Sequence, residues 1–230
     1  MGGILAAPKH ERIAQLSGAK PSSSSANLPV VEEGEASAEV AALYEHFRSH
    51  FGRQDVPGIL KCFATHPPLL KQMMDLSGAL IFSDGHLVRR HKEMIASLVS
   101  SQNACPYCAD SHSFALRMHG GSAEALCAIQ QNDLLSPAFT SAEQALLSFV
   151  AKVNTESHEI TRTDIEAMHQ AGWNDAQIAE AIHVAALFAT FNRVVNAFGL
   201  PSQGLLAMYE NAADPDAESI RSKTIGLTTT

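Results

Sequence analysis

Cysteine is scarce in this chain. Four among 230 residues are too few for a disulfide scaffold. Cys62 and Cys127 stand alone and read as small core residues; only Cys105 and Cys108 are paired. That usage fits a reducing cytoplasm and a single redox or metal motif. Positive charge is also short: 16 Lys and Arg against 24 Asp and Glu leave a formal net charge of −8. Such a balance argues against a nucleic-acid partner, whose phosphates call for clustered cations. No uninterrupted apolar run approaches the roughly 20 residues of a membrane span. The opening MGGILAAPKHERIAQ lacks a basic lead-in and a long enough apolar stretch for a secretory signal, and Ala6 stands where myristoylation wants Ser or Thr. No alternating strand pattern and no fixed-period repeat is visible. Together these absences describe an acidic cytoplasmic protein with no nucleic acid and no membrane to bind.

What the chain does have is helical periodicity, with 46% apolar residues to build a core. Val40, Leu43, Tyr44, Phe47 and Phe51 recur at three and four. Pro67-Pro68 opens a second stripe through Leu69, Leu70, Met73, Met74 and Leu76. A third helix spans about 87 to 100, with Leu87, Met94, Ile95, Leu98 and Val99 as candidate core. A fourth opens near Cys105 and ends at His119-Gly120-Gly121, because glycine tolerates the left-handed cap. Thr140-Ser141-Ala142-Glu143 is a capping box before Leu146, Phe149, Val150 and Val153. A short helix runs from Thr161 to Gln170. Asn174 then caps the longest helix, which Gly199 and Pro201 stop. About eight helices with short connections predict an all-α domain over 29–203. Residues 1–28, with Pro21-Ser22-Ser23-Ser24-Ser25, read as a flexible tail, and 204–230 as a partly loose extension, above all from Asp214 onward.

Chemistry concentrates in NACPYCADSH, residues 103–112. Pro106 is suited to the first helical position, where its missing N–H had no partner. Cys105 then sits at the cap and Cys108 one turn in, near the free N–H groups and the positive end of the helix dipole, which favours thiolate. Positions 105, 108, 112 and 115 fall on one stripe. His112 on that stripe can take a thiol proton, directly or through a water. Glu93, beside Met94 and Ile95 in the preceding helix, can face the same pocket, although a lone helical Glu is ordinarily solvated.

Other readings of the motif stay open at this point. Cys105, Cys108 and His112, with His119 or Cys127, supply the donor types of a zinc site, but a second paired knuckle is lacking. Cys-Pro-Tyr-Cys is also the active-site string of glutaredoxins. Those follow a β-strand, whereas this one follows an amphipathic helix, so the chemistry carries over and the fold does not. Elsewhere, His183 reads as a packed or interface residue, and His46, His50 and His66 have no spaced partners. Asn192-Arg193 reads as a buried polar pair bonding neighbouring helix ends, and Trp173 as a loop anchor.

The spacing Glu93–x11–Cys105–x2–Cys108–x3–His112 resembles the core motif of the alkylhydroperoxidase D-like (AhpD-like) proteins of the carboxymuconolactone decarboxylase superfamily, in the branch called peroxidase-related. The segments HKEMIASLVSSQNACPYC, LLSPAFTSAEQALLSFVAKVN, ITRTDIEAMHQAGWNDAQIAEAI and FNRVVNAFGLP extend the likeness over about residues 30–202. The resemblance implies an all-helical fold assembled as a dimer, trimer or hexamer, and thiol peroxidase activity needing no metal, flavin or haem. It implies Cys108 as the peroxidatic cysteine and Cys105 as the resolving one, joined on oxidation in a disulfide, with Glu93 and His112 as the activating relay. The implied partners are a hydroperoxide and an external dithiol reductant. Tyr107, a candidate pocket residue, stands where well-studied relatives have histidine; a phenol cannot shuttle protons near neutral pH as imidazole does. Three alternatives use the same residues or the same fold: a disulfide reductase or redox adaptor, a decarboxylase acting on ring lactones, and a zinc-stabilised domain without catalysis.

Overall fold

Periodicity at three and four becomes ten α-helices in the computed structural model, which describes residues 26–52 and 54–211; among these no strand occurs. The Ser-rich segment before Ala26 and the stretch from Asp214 onward lie outside the described residues. In chain order the helices are α1 (Ala38–Phe51), α2 (Gly58–Phe63), α3 (Pro67–Ser77), α4 (Arg89–Gln102), α5 (Pro106–Met118), α6 (Ala123–Gln131), α7 (Ser141–Glu156), α8 (Arg162–Gln170), α9 (Asp175–Phe198) and α10 (Leu205–Asn211). The all-α expectation holds. The expected caps hold as well: Thr140 and Asn174 each form a reciprocal capping box, and Gly199 closes α9 at φ 77°. Trp173 does anchor its loop, its Nε1–H donating to the Ala142 carbonyl at 2.9 Å.

The sequence does not announce α2, α6 and α10. Six, nine and seven residues are too short for a periodic stripe to stand out. They are held by local chemistry. Ser122 caps α6, its hydroxyl accepting from Ala125 N–H at 3.0 Å. Asp110 on α5 accepts from the Leu205 and Leu206 N–H groups at 3.0 Å each, which docks α10 against α5.

α4 is the centre of the fold. It packs against α5, α6, α7 and α9, and every residue from Lys92 to Ser101 is buried. The sequence predicts burial on one side only; enclosure on all sides puts polar residues inside, and most of these have partners. Lys92 Nζ reaches the Leu80 and Ser83 carbonyls at 2.8 and 3.0 Å and Glu180 Oε1 at 2.8 Å. Glu180 in turn accepts from the His86 and Leu87 backbone N–H groups at 2.5 and 2.7 Å. Gly85 makes room for this carboxylate, since a Cβ there would stand 2.1 Å from Glu180 Oε1. The anchor fixes the approach to α4 and thereby the position of Glu93.

By length and composition α9 is apolar enough to cross a membrane. Here it is a core helix, burying Ile178, Ala181, Val184, Ala185, Phe188, Phe191 and Val195. Several side chains differ from expectation. Leu69 and Leu76 lie on the outside of α3, because the helix covers the molecule with one narrow stripe centred on Leu70. His183 is exposed, which removes the packed half of its reading as a packed or interface residue, and Cys127 is exposed on α6, where Gln131 Nε2 donates to its sulfur at 3.2 Å. Cys62 is buried as expected, and burial pushes its thiol up to about 12.

Candidate functional site

The site begins at the turn between α4 and α5. Asn103 N–H donates to Val99 O at 2.9 Å, Ala104 N–H to Ser101 O and Cys105 N–H to Ser100 O, both at 3.0 Å. Ala104 holds φ 49°, a left-handed conformation unusual for a residue with a Cβ. This reversal folds Cys105 back against the end of α4. Cys105 is the N-cap residue of α5 and Pro106 its first helical position, as the motif predicts.

Both thiols are reduced and buried, Cys105 to 1% and Cys108 to 4% exposure. Their sulfurs are hydrogen-bonded to each other, and the pair divides its charge unequally. The Cys105 thiol is held below the ordinary cysteine range. The hydrogen bond from Cys108 contributes most; burial opposes it; the Cys108 and Tyr107 backbone N–H groups and the Asn192 amide add to it. Cys108 moves the other way, raised by its bond to Cys105, by burial and by the negative charge on Cys105. The helix start was expected to acidify both thiols. Only the one at the cap is lowered, chiefly by the bond from Cys108 with the backbone N–H groups adding to it, and two adjacent anions are avoided by leaving the proton on the other.

Glu93 is 0% exposed, not solvated. Its Oε2 lies 2.7 Å from His112 Nδ1, and its Oε1 accepts from Arg89 Nε at 2.6 Å. Burial alone would raise this carboxyl, but the pairings with His112 and Arg89 outweigh it and hold Glu93 at about 2. An ionised carboxylate only accepts, so His112 Nδ1 carries the hydrogen and the other ring nitrogen is turned away from Glu93. Phe188 braces the ring edge-on, with centroids 4.4 Å apart.

Cys108 and His112 line one cavity of about 480 Å³, as do Ser111 and Ala115 along the same helical stripe. Cys105 does not line it. The walls are apolar and largely aromatic: Phe47 and Phe51 from α1, Phe63 from α2, Met73 and Met74 from α3, Phe82 from the π-helical turn that follows α3, and Phe188 and Phe191 from α9. Gln203 and Leu205 close one side, next to the docked α10. His46 and His50, which the sequence leaves without partners, stack on each other with centroids 6.1 Å apart and line the same cavity. Tyr107 also lines it, and its hydroxyl accepts from Ile59 N–H at 3.4 Å, tying α5 to the start of α2.

The structure therefore brings His112, Cys108 and Tyr107 to one chamber, with Glu93 behind His112 and Cys105 behind Cys108. Two neighbours escape the motif. Arg89 is legible in hindsight from its i,i+4 spacing to Glu93. Asn192 is visible in sequence as a buried polar residue, but its position beneath the two sulfurs depends on how α9 crosses α4. Its partner in the motif, Arg193, points outward and bonds only its own helix, Nη1 to Ala189 O at 2.6 Å. Among the described residues no group of three or more His, Cys, Asp or Glu side chains is arranged to hold a metal ion. The zinc reading therefore lacks a donor set there, with His112 turned to Glu93 and Cys127 on the surface.

Residues 67–152 match the model of the carboxymuconolactone decarboxylase family. No curated protein matches the chain. Among solved structures, an uncharacterised peroxidase-related protein from Ralstonia eutropha with an alkylhydroperoxidase AhpD core is 25% identical, with a TM-score of 0.70 over 82% of this chain and 96% of that one. A peroxidase-related protein from a Silicibacter species is 28% identical, with a TM-score of 0.69 over 82% and 97%. The debrominase Bmp8 bound to 2,3,4-tribromopyrrole shares the fold, at 14% identity and a TM-score of 0.65 over 82% and 100%. The family's match spans α3 to most of α7, including every residue of the Glu93–Cys105–Cys108–His112 motif, and the peroxidase-related structures share the frame around it: this stretch of the chain resembles the carboxymuconolactone decarboxylase family, carried on an AhpD-like fold.

Proposed function

We propose that the protein is a thiol-dependent peroxidase that reduces apolar organic hydroperoxides through Cys105 and Cys108. One observation carries the reading: Cys108 and a His112 pinned by an ionised Glu93 face the same aromatic cavity, with a second thiol in hydrogen-bond contact behind. His112 makes no hydrogen bond to Cys108, and a hydroperoxide group seated between them completes the line.

In this mechanism the reduced pair keeps one proton, on Cys108, the less acidic of the two thiols. On substrate binding the proton crosses to Cys105, and the Cys108 thiolate attacks the nearer peroxide oxygen. The S–O bond forms as the O–O bond breaks, leaving Cys108 as a sulfenic acid. The departing alkoxide takes the Nε2 proton of His112, which enters the step as an imidazolium whose charge Glu93 balances. Cys105 then attacks the sulfenic sulfur, a disulfide forms and water leaves. An external dithiol returns two electrons and two protons by exchange. The net reaction is two thiols and a hydroperoxide giving a disulfide, an alcohol and water, with no cofactor. Assembly as a homo-oligomer and the identity of the dithiol donor belong to the same proposal.

The test is a stopped-flow measurement of thiol oxidation. Cys108→Ser abolishes hydroperoxide turnover, and Cys105→Ser leaves one stoichiometric oxidation that stops at the sulfenic acid. Cumene hydroperoxide is expected to outrun hydrogen peroxide, since the walls reward apolar groups. Full turnover in Cys108→Ser overturns the assignment.

A further inference from the structure

Asn192 is 0% exposed and lies in the middle of α9, where an amide has no helical role to fill. Each of its atoms is accounted for. Oδ1 accepts from Asn103 Nδ2 at 3.1 Å, and Nδ2 donates to Ser100 Oγ at 3.0 Å. Asn103 is itself fixed by Asn154, through bonds of 3.1 and 3.3 Å. In this arrangement the Asn192 NH2 is on the Ser100 side, and a flip of Asn192 alone would set its NH2 against that of Asn103. Asn103, Ser100 and Cys105 all belong to the same turn, so the amide that Ser100 and Asn103 hold sits beside the Cys105–Cys108 pair, and it lowers both thiols.

We infer that Asn192 sets the redox poise of the pair, its fixed amide N–H stabilising the dithiol over the disulfide. A hydrogen bond to a sulfur anion in a water-excluded site is strong, and the same donor facing an uncharged disulfide is weak. The difference favours reduction, as in disulfides made oxidising by a stabilised thiolate. The inference rests on the pair being redox-active, which is part of the proposed function, but not on peroxide being the oxidant.

The test equilibrates the protein with mixtures of reduced and oxidised dithiothreitol. In that exchange the dithiol gives two electrons and two protons to the Cys105–Cys108 disulfide and closes to its own cyclic disulfide. The pair is trapped and weighed by mass spectrometry. Thiolate is followed separately by absorbance near 240 nm against pH. Asn192→Leu is expected to move the equilibrium toward the disulfide by about tenfold or more, and to shift the first thiolate to higher pH. Asn192→Asp, the same shape with an anion facing the sulfurs, moves both in the same direction and serves if the leucine variant does not fold. Ser100→Ala, which leaves the amide in place, stays near the wild-type equilibrium. Unchanged equilibrium and unchanged thiolate onset in a folded Asn192 variant overturn the inference. Failure of the wild-type pair to form a disulfide at any dithiothreitol ratio overturns instead the redox reading beneath it.

Discussion

Single residues decide how the sulfur pair is presented. Ala104 is the clearest case, because its backbone is left-handed at φ 49° although the residue is not glycine. Such a conformation costs an L-residue about 1–2 kcal/mol. Ala104→Gly removes that strain and adds backbone freedom to the unfolded chain, so a net stabilisation of up to about 1 kcal/mol is expected. A urea midpoint no higher than wild type would show that the turn is not strained. At this scale the sequence was informative about identity and silent about surroundings. Pro106 fixed the helix start and the cap position of Cys105, because proline chemistry is local. The opposite shifts of the two thiols were not legible, since they depend on the distance between the sulfurs and on an amide from a helix some 90 residues away in sequence. Glu93 shows the same limit: its composition neighbours cannot say whether a helix is covered on one side or on all.

Elements are where the cavity is made. α4 and α5 bring the chemistry, while α1, α2, α3, α9 and the segment after it supply the walls. The long helices were legible because stripes and capping boxes are periodic or local signals. The short ones were not, and α10 matters most among them. Its first two free N–H groups are taken by Asp110, two residues after Cys108, so the same helix that carries the thiols also holds the chamber's side wall. Asp110→Ala is expected to cost about 1 kcal/mol through loss of these bonds. Amide hydrogen exchange at Leu205 and Leu206 should accelerate severalfold while exchange in α4 stays slow. Equal acceleration in α4 would mean that the two helices open together rather than α10 undocking by itself.

For the whole molecule, the most consequential charge is the one in its centre. Glu93 has its carboxyl lowered from 4.5 to about 2 in the folded state. A lowered folded-state value means stability that is complete above the ordinary carboxylate range and drains away as pH falls from about 4.5 to about 2. The linkage amounts to about 3 kcal/mol. Wild type should therefore lose stability across that window. Glu93→Gln, which leaves His112 and Arg89 without their carboxylate, should start less stable at neutral pH and approach the wild-type curve near pH 2. Urea midpoints at several pH values check this, and parallel curves would dismiss it.

The placement of Glu93 has a consequence for how the protein can be altered. The carboxylate that would time proton delivery in the chamber is also a keystone of the central helix. A change that let it take up a proton near neutral pH would free it for acid–base work and, by the same amount, loosen the core. Reactivity and acid tolerance are thus two readings of one equilibrium in this fold. Variants selected for one should be found to have drifted in the other.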